Sequence, residues 1–157
     1  MQFWIKFPKL VVFLMNEFIL INKYLKPLTK KNLGSMNLND DIFYDNKKKI
    51  AVSVDTYVQG VHFVSNDPNH FLKKVIRSSL SDLYCKGINP KFYFLSFAFN
   101  KNFPTHLRLS KIKKILFSEQ KKFNILLSGG DTTFSKNLVI TVTVMGYSKK
   151  KPVFRKG

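Results

Sequence analysis

Cysteine is nearly missing from this chain. Cys85 stands alone among 157 residues, which excludes an intrachain disulfide and a cysteine-ligated zinc site within one copy. A lone thiol also fits a reducing compartment, so a cytoplasmic setting is expected. No stretch reaches the ~18 to 20 apolar residues that a membrane-spanning helix needs. The opening MQFWIKFPKLVVFLM holds only a brief apolar run, Leu10 to Met15, and no small-residue cleavage site follows it. There is no internal repeat and no linker rich in Pro, Gly or Ser. Arginine is scarce as well. Only Arg77, Arg108 and Arg155 occur, so lysine carries nearly all of the +18 net charge. Such an excess points to an anionic partner, but specific nucleic-acid readers lean on arginine forks and exposed aromatics in a recognisable module. None is present. A lysine surface still binds polyanions non-specifically at low salt.

What is there is a globular composition, 45% hydrophobic, in a chain long enough for one domain with a core. From Asn16 the spacing places Phe18, Ile21 and Leu25 on one helical face, with Pro27 as a stop. Met15 is a natural start, and residues 1–14 are expected to be an appended arm or the product of a mis-set start codon. Asn46 and Lys47 to Lys49 form a basic hairpin turn into a strand from Ile50. Asp67-Pro68-Asn69 starts a helix, and Leu72, Val75, Ile76, Ser79, Leu80 and Leu83 form its buried stripe before Gly87 closes it. Lys91 to Phe99 is a strand so apolar that burial on both faces or at a subunit interface is expected. Pro104-Thr105 opens a second helix, with Leu109, Ile112 and Leu116 inward and its end near Asn124. Ile125 to Leu127 reads as a short buried strand running into Ser128-Gly129-Gly130-Asp131-Thr132-Thr133, and Leu138 to Met145 as the last strand. The expected class is α+β, a mixed sheet with two main helices packed on one face. Cys85 reads as a small buried residue.

The nine acids carry the functional argument. Asp40 and Asp41 are adjacent carboxylates that repel each other, so a cation or lysines belong nearby. Asp55 and Thr56 sit where the Ile50 strand is expected to stop, and Gly60 and His62 follow. Asp82 projects from the edge of the buried helical stripe, where an unpaired charge is costly. In SGGDTT, two glycines expose backbone N–H groups and Asp131 adds oxygens, a combination suited to phosphate with a metal ion. Asp41, Asp55, Asp82 and Asp131 thus fall at strand ends or on a buried helix edge. Hard carboxylate oxygens gathered from several elements are what magnesium requires when it bridges phosphates.

NDDIFYD at 39–45, VSVDTYVQGVHF at 52–63, SLSDLYCKGINP at 79–90 and LLSGGDTT at 126–133 together resemble the N-terminal domain of thiamine-monophosphate kinase. A histidine shortly after the Asp-Thr pair favours that family over relatives sharing the aminoimidazole ribonucleotide synthetase-like fold. The resemblance implies magnesium-dependent transfer of the ATP γ-phosphoryl group onto thiamine monophosphate, giving thiamine diphosphate. It implies that Asp41, Ser53, Asp55, Asp82 and Asp131 hold magnesium, that His62 contacts the thiamine phosphate, and that Gly130, Asp131 and Arg155 touch ATP. It further implies an ATP- and magnesium-binding domain over 15–157, pairing through its sheet as a homodimer. The C-terminal domain of the family has no counterpart here, so the chain is expected to be a truncated or split form whose other half is a possible separate polypeptide. The departures are Asn39 for a glycine, Val54 for a threonine, Ser79 for an asparagine and the absence of an arginine after GGDTT. Three alternatives stay open: another ATP-dependent enzyme of the same superfamily, a non-catalytic basic binding domain, and a structural half that only dimerises with a separately encoded partner.

Overall fold

The computed structural model describes residues 17–154. The arm at 1–14, the start at Met15 and Arg155 lie outside the described residues. Five strands form one sheet in the order β1-β2-β5-β3-β4, where β1 is Phe43–Asp45, β2 Ile50–Val58, β3 Asn89–Phe99, β4 Leu126–Phe134 and β5 Val139–Tyr147. All neighbours are antiparallel except β3 and β4, which run parallel because a helix, His106–Phe123, connects them. The sheet is therefore mixed and the class α+β, as expected.

A strand alternates its side chains, and here alternation sorts the sheet into a covered and an open face. Ala51, Ser53 and Tyr57 of β2, Ile140, Val142 and Val144 of β5, and Tyr93, Leu95 and Phe97 of β3 are buried beneath the helices. The intervening residues face the other way, where Val54 is 60% exposed and Phe94 36%. Within one chain, the strand expected to be buried on both faces or at a subunit interface is buried on one face.

After a short helical stretch, Glu17–Ile19 (α1) continuing through Thr29, the two long helices follow. Phe18 and Leu25 of that first stretch stay exposed rather than forming a packed face. Helix α2, Pro68–Tyr84, starts where the Asp67 carboxylate accepts from Asn69 N–H at 3.1 Å, and it buries the whole anticipated stripe from Leu72 to Leu83. Helix α3, His106–Phe123, is capped by Thr105, whose hydroxyl accepts from Arg108 N–H. It packs chiefly on α2, so its buried stripe is narrow and comprises Ile112, Ile115, Leu116 and Glu119. Leu109, expected inside, is 43% exposed.

Glu119 is 2% exposed and forms a two-pronged ion pair with Arg77, Nε to Oε2 at 2.8 Å and Nη2 to Oε1 at 2.9 Å. That fork joins α3 to α2 with matched geometry. At the far end of the sheet Phe63 stacks on Phe71 at 5.1 Å, and Phe99 stacks on Phe103 at 5.3 Å. This aromatic layer closes the core where α2 begins. Cys85, expected to be buried, is exposed. It lies past Leu83 at the helix cap, where the inward stripe has ended.

Candidate cation and nucleotide site

Strand β1 pairs with β2 only from Ile50 to Val52, so from Ser53 onward β2 has no strand beside it on that edge. Odd-numbered residues there point toward α2, and the approach to β1 passes over the gap. Ser53 is buried, and its hydroxyl lies 2.7 Å from Asp82 Oδ2 on the last turn of α2 and 3.2 Å from the Asp41 carbonyl. One side chain thus ties together three segments far apart in sequence. Two residues on, Asp55 shares the same face, and its Oδ2 accepts from the Tyr57 hydroxyl at 3.1 Å. Tyr57 and Ser79 Oγ lie 3.0 Å apart, which links β2 to α2 again. Burial, and then the Asp55 charge, raise the Tyr57 hydroxyl above its ordinary pKa, although hydrogen bonds to Ser78 and Ser79 act against this.

Asp82 registers the resulting charge density. Burial pushes its carboxyl above the usual range, the Ser53 hydrogen bond opposes this, and the nearby Asp55 and Asp41 charges push it further up. Burial is the main cause, and the Lys86 charge pulls the other way. The sign for stability follows. The unfolded state ionises near the ordinary value, the folded state at a higher pH, so the native form is favoured at low pH and loses stability as pH rises through the folded pKa. Asp82→Asn, which keeps an acceptor for Ser53, is therefore expected to raise the melting temperature at pH 7 in chelator. The gain should vanish near pH 3; thermal unfolding followed by circular dichroism at both pH values checks it.

The donors are all hard oxygen: the carboxylates of Asp41, Asp55 and Asp82, the Ser53 hydroxyl and the Asp41 carbonyl. That set suits magnesium, which keeps part of its water shell and is completed by substrate phosphates. Among the described residues no three His, Cys, Asp or Glu side chains are grouped so that they could hold a metal ion by themselves, so an ion here would depend on water and phosphate oxygens for the rest of its shell.

Asp40 Oδ1 accepts from the Asp41 N–H at 2.8 Å, and the same carboxylate reaches a lysine. Its Oδ1 lies 2.7 Å from Lys86 Nζ, with side-chain exposures of 3% for Asp40 and 9% for Lys86. The repulsion between the adjacent acids is thus relieved by a lysine from just beyond α2. Sequence reasoning did not single out Lys86 or Tyr57. The signal for Tyr57 was its place two residues after Asp55, on the same strand face.

Other expected residues lie elsewhere. Asp131 and Gly130 are inside β4, paired with Ser96 and Leu95. Three strand spacings separate β4 from β2, about 14 Å, and Ser96 belongs to the open face, so Asp131 does not join Asp41, Asp55 and Asp82. The SGGD segment is strand rather than loop, exposed along its whole length at the sheet edge. Leu126 and Leu127, expected buried, are exposed for the same reason. His62 is exposed in the turn after β2. Its Nδ1 accepts from Val58 N–H at 3.0 Å and its carbonyl accepts from Lys74 Nζ at 2.6 Å, so the ring is oriented with Nε2 left for another partner.

Comparison with known proteins agrees with this architecture. Residues 38–148 match the family described as AIR synthase related protein, N-terminal domain. The chain is 34% identical over 140 residues to the thiamine-monophosphate kinase of Buchnera aphidicola subsp. Acyrthosiphon pisum (strain APS), covering 86% of this chain and 42% of that protein. It is 32% identical over 145 residues to the thiamine-monophosphate kinase of Bacillus subtilis (strain 168), covering 87% and 43%. It thus spans less than half the length of these curated relatives. The solved structure described as AaThiL complexed with AMPPCP and TMP superposes with a TM-score of 0.73 at 25% identity, covering 92% of this chain and 47% of that one. With that match spanning β1 to β5 and both long helices, the chain belongs to the AIR synthase related protein N-terminal domain family.

Proposed function

We propose that this chain is the nucleotide- and magnesium-binding half of a thiamine-monophosphate kinase, transferring the ATP γ-phosphoryl group to thiamine monophosphate together with a C-terminal half. The observation that carries the reading is the convergence of Asp82, Ser53 and the Asp41 carbonyl, with Asp55 beside them, at the edge β1 leaves open. The curated relatives and the AMPPCP complex of AaThiL support the substrate pair.

In this reading Asp41, Ser53, Asp55 and Asp82 hold magnesium, which supplies charge neutralisation for the transferring phosphoryl group. The family resemblance assigns Gly130, Asp131 and Arg155 to ATP, with Asp131 rising from β4 on the open face, apart from the magnesium cluster. Phosphoryl transfer asks the protein for positioning and electrostatics rather than a covalent nucleophile. Val54 points to the open face, so the departure from threonine leaves the covered cluster of Ser53, Asp55 and Asp82 unaltered. A second copy seated on the open sheet face would cover Val54, Phe94 and Tyr147, which makes a homodimer the expected assembly. The cytoplasm is the expected location; no described helix is long and apolar enough to cross a membrane.

His62, held by Val58 and Lys74, presents Nε2 to the thiamine phosphate. In the presence of a C-terminal half, His62→Ala is expected to raise KM for thiamine monophosphate by about tenfold or more while leaving AMPPCP affinity unchanged, as for loss of one charge-assisted contact. Turnover assays over a range of thiamine monophosphate, paired with calorimetry, test this. Equal loss of nucleotide binding would place His62 in the nucleotide site instead.

A further inference from the structure

The Asp40–Lys86 pair stands beside the acid cluster without belonging to it. Lys86 follows the α2 cap, and its carbonyl accepts from Val153 N–H at 3.3 Å, so its backbone is anchored from two directions. Its ammonium reaches both carboxylate oxygens of Asp40, at 2.7 and 2.9 Å. Asp40 is the residue immediately before Asp41, whose carbonyl meets Ser53 and whose charge is felt at Asp82. A fixed Asp40 fixes the peptide that follows it. We infer that Lys86 is a positioning residue of the cation site: by clamping Asp40 it keeps that carboxylate out of the ligand set and holds Asp41 against Ser53 and Asp82.

Two physical effects could follow from removing Lys86, and they differ in sign. Loss of a nearby positive charge would strengthen attraction for a divalent cation, whereas loss of the clamp would let the Asp40–Asp41 turn drift and weaken it. A charge-neutral double substitution separates them. Lys86→Met with Asp40→Asn removes the ion pair without changing the net charge, and replacing both members of a buried pair is far gentler than removing one.

The inference rests on the magnesium-site reading, so the experiment carries controls for that reading. Titrate the full chain with the magnesium complex of AMPPCP by calorimetry, using wild type, Asp55→Asn, Lys86→Arg and the double variant. The expected result is wild-type binding, loss in Asp55→Asn, retention within about threefold in Lys86→Arg, and about tenfold weaker binding in the double variant, the scale at which residues that orient metal ligands act. Wild-type affinity in a folded double variant overturns the positioning role while leaving the site reading intact. No binding by wild type, or none lost in Asp55→Asn, overturns the site reading and this inference with it. A wild-type measurement covers a double variant that fails to fold. The Lys86 side-chain NMR signal, assigned by its absence in Lys86→Arg, should shift with the same midpoint as nucleotide binding, and a signal unmoved at saturation overturns the role.

Discussion

Asp55→Asn is expected to lower the affinity of this chain for the magnesium complex of AMPPCP by about a hundredfold or more, since even residues that only orient a metal ligand contribute ten- to a hundredfold. The fold should survive. Asn is nearly isosteric, Asp55 lies past the end of β1 where no strand neighbour depends on it on that edge, and an amide oxygen still accepts from the Tyr57 hydroxyl. Removing one negative charge also relieves Asp82, whose carboxyl is pushed up partly by Asp55. The variant should therefore melt no lower than wild type while losing its ligand. That combination distinguishes a cation site from a structural one. Calorimetry at moderate salt, with and without magnesium, measures it. A non-catalytic basic domain gives the opposite pattern, in which binding collapses with salt and ignores both magnesium and the substitution. If Asp55→Asn bound as tightly as wild type, the acid cluster would not be where the nucleotide's cation sits.

Where the sequence and the structure agree, the signal was local. The α2 stripe is a run of apolar residues at helical spacing with a cap at each end, and every member is buried. The basic turn between β1 and β2 is likewise written in adjacent residues: Asp45 Oδ1 accepts from Lys47 and Lys48 N–H at 2.8 and 2.9 Å. Asp82 could be singled out because a carboxylate on the margin of an apolar stripe demands a partner, and Ser53 is that partner across 29 residues of chain. What stayed illegible was pairing over long separations. The repulsion between Asp40 and Asp41 called for a cation, yet nothing in the sequence chose Lys86, 46 residues away, from so many lysines. Glu119 sits three residues after Leu116 on a helical stripe, a sign that it turns inward, but its partner Arg77 belongs to the other helix. Strand β4 was misjudged for a related reason. SGGDTT has the composition of a turn, and only its parallel register with β3, set by the α3 crossover, makes it a strand. That register also decides that Asp131 rises from the open face while Asp55 faces the helices.

The same register makes Gly130 the glycine with the most to lose. Gly130→Ala is expected to destabilise the chain by about 2 to 3 kcal/mol, the upper end of what overpacking usually costs. For a domain of this size that corresponds to roughly 5 to 10 °C in melting temperature. A Cβ at Gly130 would stand 1.9 Å from the Leu95 carbonyl oxygen and 2.7 Å from its carbon. Both are backbone atoms of the paired strand, so no rotamer change can relieve the clash; β4 must move away from β3. Leu95 is itself buried on the covered face, so β3 cannot yield without disturbing the core, and the displacement falls on the edge strand. Asp131 moves with it, so nucleotide affinity should fall along with stability. Gly60→Ala supplies the contrast. Its φ of +87° lies in the region that favours glycine, but nothing stands within 4 Å of the added carbon, so only the backbone cost of about 1 to 2 kcal/mol remains, with no displacement of β4. Gly130 itself sits at φ +158°, so its variant carries backbone strain as well as the clash, and thermal melts and AMPPCP titrations of the two variants, measured side by side, show what the clash adds. If Gly130→Ala melted with wild type and bound AMPPCP equally well, β4 would not lie against β3 in the register that places Asp131 on the open face.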